Sequence, residues 1–349
     1  MVRRRTGILW LGLLLATSGL PLTASGQDLA DSLRPYLQGI GLDAKQFAAA
    51  VRGTTVVKKL ITQGDRDVAV FGITRIVASQ DAVLDNFLDF KASLGAVKGR
   101  RFGVFGDPPQ PDDVAEVSLE EDEYRELRDC RPGDCGFKLP AVTMQAFAQG
   151  IEWSAPDAKV QADHLVRAAL IRLVRRYRDQ GDRALLSYDD RNRVRSSDVF
   201  ADLFAHTSRW LQYPAELKRS LEAYPLGRLA GARHILYWED DRLPWLRPTL
   251  TVNHFVAYPS IRDSHAVFVV KKQLYASHYL DGAIELYEVL DLGTGAERNT
   301  FLLAIRYARL DQLSRRVLNL RGRVEGRFQE VLRSDLEQYR TALEEVRSP

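Results

Sequence analysis

The change of hydrophobic period near residue 233 constrains this chain more than any other feature of its sequence. From there to residue 309, apolar and polar side chains alternate with a period of two over candidate strands 233–240, 248–258, 266–280, 283–291 and 300–309. The period then becomes helical. Val324, Phe328, Val331, Leu332, Leu336, Tyr339, Leu343 and Val346 form one apolar stripe, with Gly322 and Gly326 marking its entry. The other side of that helix carries Arg327, Glu330, Arg333, Glu337 and Arg340. Five alternating strands need cover on one face, and a long amphipathic helix needs an apolar surface. The expected class is therefore α+β, with an antiparallel sheet crossed by a long C-terminal helix.

Upstream, Val68–Val77 is β-branched and bounded by polar residues, and reads as a strand of the same sheet. A helix over 80–94 follows, with Ser79 as its N-cap and Val83, Leu84, Phe87, Leu88 and Leu94 on one face. Residues 28–52 have helical spacing, so 27–60 reads as an N-terminal helical segment. Residues 101–231 read as mainly helical, with helices near 140–150, 157–180 and 198–223. Charge divides this segment. Ten acidic residues stand against Arg125 and Arg128 between 107 and 129, whereas ten Lys or Arg stand against five Asp between 159 and 195. The two are read as solvated, mutually attracting faces, or else the arginine-rich helix 157–180 is a docking face for anionic lipid or glycan, in peripheral contact with the membrane or envelope.

The strand–helix opening VAVFGITRIVASQDAVLDNFLDF (68–90), the meander and the closing helix at 322–347 together resemble the START-like, or polyketide-cyclase, superfamily. The resemblance covers roughly 60–100 and 232–349. It implies a helix-grip fold, interrupted here by the 101–231 insertion. In that fold a curved sheet and the helix enclose an apolar cavity, and members of the superfamily mostly bind lipids or other hydrophobic molecules. Candidate walls are Phe268, Val270 and Leu274 on the sheet and Phe328 and Leu332 on the helix. The superfamily has no shared catalytic residues to carry over.

Asp281-Gly282 lies between alternating apolar runs and favours a two-residue type I′ turn. That register sets His278 opposite Glu285 on a largely apolar face, with Tyr287 nearby and Lys272 needing a partner. A carboxylate opposing an imidazole makes either an acid–base unit or a satisfied structural pair. The six histidines show no metal-ligand spacing, and no nucleophile elbow or phosphate-cradling loop is present, so neither metal nor cofactor is expected. Cys130 and Cys135, the only cysteines, flank the turn-forming Pro132-Gly133 and read as a disulfide.

At the start, Arg3–Arg5, the apolar run Ile8–Leu15 and the small residues Ala24-Ser25-Gly26 read as a secretory signal peptide over 1–26. Export to the periplasm or beyond is the resulting expectation. The chain carries 49 basic and 46 acidic residues, and the first 26 hold three arginines and no acid. The rest of the chain is balanced in charge, without the basic footprint of nucleic-acid binding. N-terminal sequencing of exported protein should begin at or near Gln27, and an intact Arg3–Leu22 segment would favour a retained anchor.

Overall fold

The computed structural model describes residues 33–34, 37–94, 100–191, 193–207, 210, 213–241, 247–260, 266–291, 300–313 and 320–345. The signal-peptide reading of 1–26 lies outside these residues. The strands are β1 Val56–Leu60, β2 Asp67–Ile76, β3 Arg101–Val104, β4 Ser187–Tyr188, β5 Val194–Arg195, β6 Arg233–Asp241, β7 Thr249–Pro259, β8 Ala266–Ala276, β9 Leu280–Asp291 and β10 Thr300–Leu310. Eight of them form one sheet in the order β1-β2-β10-β9-β8-β7-β6-β3, while β4 and β5 pair separately. Every pairing in the large sheet is antiparallel. The helices are α1 Ala44–Val51, α2 Gln80–Leu88, α3 Phe90–Ser93, α4 Glu121–Asp129, α5 Ala141–Gly150, α6 Ala158–Gln180, α7 Ser196–Thr207, α8 Ala215–Glu222 and α9 Leu320–Glu345.

As the sequence suggests, β2 belongs to the meander's sheet, paired with β10 from Ile76↔Thr300 to Asp67↔Arg309. Ser79 caps α2 by accepting the Ala82 N–H at 3.2 Å. The helix expected over 80–94 breaks at Asp89 into α2 and α3. Two boundaries differ from the sequence reading. Val56–Leu60 is an edge strand rather than part of a helical segment, and Arg101–Val104 pairs with β6 at the opposite edge, so the insertion starts after β3.

Both faces of the sheet are covered, which explains the near-continuous burial along β2, β7 and β8. On one face Val70, Tyr237, Phe255, Val269, Tyr287 and Leu302 meet α2, α3 and α9. On the other, Phe71, Val256, Phe268, Val270 and Ile305 meet α1, α7 and α8, and the insertion's α6 packs on Leu236, Trp238 and Val252. The apolar stripe of α9 is seated over β2. A Cβ on Gly72 would lie 2.5 Å from Leu336 Cδ1 and 3.1 Å from Leu332 Cδ2, so the missing side chain lets the two leucines reach the backbone.

The Asp281-Gly282 turn is not formed. The chain reverses at Ser277–Tyr279, where Tyr279 takes φ 60°, and Gly282 lies inside β9 opposite Arg309. Asp281 is buried and held by Lys138 at 2.7 Å and Arg66 at 2.6 Å. A carboxylate committed to two cations does not serve a turn. Lys138, itself 1% exposed, also faces Asp190 at 3.5 Å, and its N–H donates to Ser277 O. These contacts clasp the insertion to the sheet. Beside them Cys130 and Cys135 are disulfide-bonded, with Gly133 at φ +85° in the enclosed turn.

Leu336→Ala should cost roughly 2–5 kcal/mol, the range for emptying a buried leucine site. Gly72→Ala should cost about 1–3 kcal/mol by overpacking. Because the added methyl and the deleted side chain contest the same space, the double variant should cost less than the sum, as measured by chemical denaturation.

Candidate functional site beneath the C-terminal helix

The strand register decides which predicted residues meet. β8 and β9 pair with Lys271 opposite Glu285 and Phe268 opposite Glu288. His278 therefore stands outside the ladder, and no His278–Glu285 pair exists. His278 instead lies 3.4 Å from Glu126 of α4, with its other ring nitrogen 2.8 Å from Ser277 Oγ. Ser277 is fully buried and its Oγ accepts the Leu250 N–H at 3.0 Å. This Ser–His–Glu string thus links α4 of the 101–231 segment to the sheet. Hydrogen bonding from His278 lowers the Glu126 pKa, against the opposing effect of burial, and Arg247 at 2.7 Å adds to the lowering.

Glu285 and Tyr287 face α9. Their neighbours are Lys271 of β8, Arg306 of β10 and Asp335 of α9, brought together because alternate residues of adjacent strands share one face. Arg306 Nε is 3.2 Å from Glu285, and its Nη2 lies 2.6 Å from Asp335. Tyr287 donates to Glu285 and accepts from Arg306 at 3.1 Å. Burial alone would raise the Glu285 pKa, but Arg306, Lys271 and the Tyr287 hydroxyl hold it down at about 2. Burial, only partly offset by Arg306, pushes the Tyr287 hydroxyl far up, so it stays a proton donor.

Next to this cluster, between α9 and β7, β9 and β10, lies a cavity of about 150 Å³. Ala283, Ala308, Leu310, Phe328 and Val331 supply apolar wall, while Glu285 and Arg306 supply a charged one. The cavity exists because α9 lies along β1 and β2, tied down where Arg321 donates to Asp67 O at 2.7 Å. Of the expected wall residues, only Phe328 lines it. Leu332 is packed onto Gly72, Phe268 and Val270 face α7 on the opposite side, and Leu274 sits under the insertion. A turn at Asp281-Gly282 would put the even-numbered face of β8 with Tyr287, and the observed register does not. Arg306 and Asp335 escape sequence reasoning because each reads as an ordinary solvent-facing charge.

Lys272 finds a partner in Asp182, just after α6, and its ammonium lies 3.6 Å from the Phe200 ring centre. Burial holds its pKa down at about 8 despite Asp182. Among the described residues no cluster of His, Cys, Asp or Glu is arranged to hold a metal, and no helix is long and apolar enough to cross a membrane. No protein-family model matches the chain, and no curated protein matches it.

The depressed Glu285 pKa fixes a sign. Its folded value lies below the ordinary 4.5, so its contribution to stability is complete above that pH and is lost as pH falls towards 2. Glu285→Gln should therefore flatten the loss of stability between pH of about 5 and 3, read from denaturation midpoints at the two pH values.

Proposed function

We propose that this protein binds a hydrophobic or lipid-like molecule, without altering it chemically, in the space between the sheet and α9. The observation that carries this reading is the cavity of about 150 Å³ walled by Phe328, Val331, Ala283 and Ala308. An engineered apolar cavity of about that size takes up benzene, so the space suits an aromatic ring or a short stretch of chain. The exposed Arg247 and Arg327 border it, and the polar part of the molecule leaves past them. The order of elements also supports a START-like helix grip: β2 runs into α2 and α3, the meander β6–β10 comes after the insertion, and α9 returns across β2. The separation of His278 from Glu285 weighs against an acid–base enzyme built on that pair. Placement in the periplasm or outside the cell is part of the proposal, and the disulfide supports it, because such bonds persist in oxidising compartments.

Native mass spectrometry of the purified full chain should show a non-covalent adduct of lipid-like mass. Ala308→Trp, which fills the cavity, should abolish it. A wild-type protein that stays free of adduct, and gains no thermal stability from added 1-decanol, would overturn the reading.

A further inference from the structure

A second cavity of about 150 Å³ lies on the other side of the sheet, under the insertion. Leu127, Phe137, Phe147, Leu170, Leu186 and Trp238 give it apolar walls drawn from three insertion helices, their connections and β6. Part of its polar lining is spoken for. Arg101 is paired with Asp240 at 2.6 Å, Glu123 accepts the Glu120 N–H at 2.7 Å, and the Trp238 indole donates to Asp113 O at 2.7 Å. Four lining groups have no such partner among the described residues: the Thr143 hydroxyl, Tyr275, Arg172 and Arg176. Tyr275, 6% exposed, makes no hydrogen bond through its hydroxyl among the described residues. Arg172 and Arg176, exposed and one turn apart on α6, make neither a hydrogen bond nor an ion pair among them.

The other arginines of α6 are committed elsewhere. On the same helix Arg167 donates to Val117 O, Arg175 to Pro109 O, and Arg178 pairs with Asp107. Like charges four residues apart on a helix repel by a few tenths of a kcal/mol unless an anion lies between them. Two guanidinium groups beside an apolar hole match a molecule with one carboxylate and a compact apolar body, since arginine binds carboxylates through paired N–H donors. We infer that this cavity is a second binding site, distinct from the space beneath α9, for a medium-chain carboxylate whose tail enters between insertion and sheet and whose head meets Arg172 and Arg176. The tail is limited to roughly six to eight carbons by a space that elsewhere holds benzene. The Tyr275 hydroxyl offers a donor within the same lining.

Isothermal titration of the full chain with octanoate tests this. Octanoate should bind saturably and at least about tenfold more tightly than 1-octanol, the charge-assisted contact being worth 1.4 kcal/mol or more, and octylammonium should not bind. Arg172→Gln with Arg176→Gln, both at exposed positions, should remove the preference for octanoate while leaving octanol binding unchanged. In a chain that also carries Ala308→Trp, so that the space beneath α9 is filled, Ala169→Leu should weaken both. Absence of saturable octanoate binding, or an unchanged preference in the double arginine variant, would overturn the inference. Ala308→Trp separates the two sites: octanoate binding that survives it supports the second site. Loss of octanoate binding in that variant assigns octanoate to the space beneath α9, overturning this inference and leaving the proposed function standing.

Discussion

The seating of Leu332 and Leu336 on Gly72 is the contact on which the rest of the molecule depends. It brings the last helix to the second strand and thereby fixes which face of the sheet that helix covers. Both leucines are fully buried, and burying each contributes roughly 1.5–3 kcal/mol. With α9 held along β1 and β2, the strands β7–β10 are left only partly roofed at the helix's first turns. The cavity beneath Phe328 and Val331 is what remains. A bulkier residue at position 72 would lift the helix and change the depth of that space.

The second organising constraint is that the sheet is buried on both sides. Strands covered twice carry polar side chains into the interior, and each needs a partner there. Lys272 meets Asp182, Lys138 meets Asp281 and Asp190, and Arg306 bridges Glu285 and Asp335. Tyr177, His254 and His234 form a hydrogen-bonded string, with burial keeping the two imidazoles neutral and the His234 pKa down at about 4. Several of these partners come from the insertion. The segment between β3 and β6 is accordingly structural, because without it the β7–β9 face would expose unpaired charge.

Much of the fold is legible in the sequence because period and caps report local structure. The meander, β2, the Ser79 cap and α9 all emerge from apolar spacing, most boundaries falling within a few residues. The short edge strands β1 and β3 do not, since four or five residues carry too little alternation to outweigh their surroundings. Asp281-Gly282 departs from its local turn preference for a physical reason. Its local turn preference is worth less than the ion pairs that Asp281 makes with Lys138 and Arg66, both distant in sequence. That shift of the turn moves every cross-strand partner with it, taking Glu285 to Lys271 and His278 to Glu126. Alternation along β9 is enough to show Glu285 and Tyr287 as neighbours, but Arg306 and Asp335 become visible only once β10 and α9 are placed.

The position of β2 also governs when the chain can become stable during its own synthesis. Asp67 awaits Tyr307, 240 residues later, and Thr300 must reach back 222 residues to Ala78. Contacts of such separation are slow to form, because loop closure precedes any gain from burial. Until β10 and α9 leave the ribosome, β1 and β2 form only a two-stranded ribbon, which is marginal by itself. The β2 edge of the sheet therefore cannot close until β10 and α9 have been made, and its ribbon needs protection from aggregation over that interval.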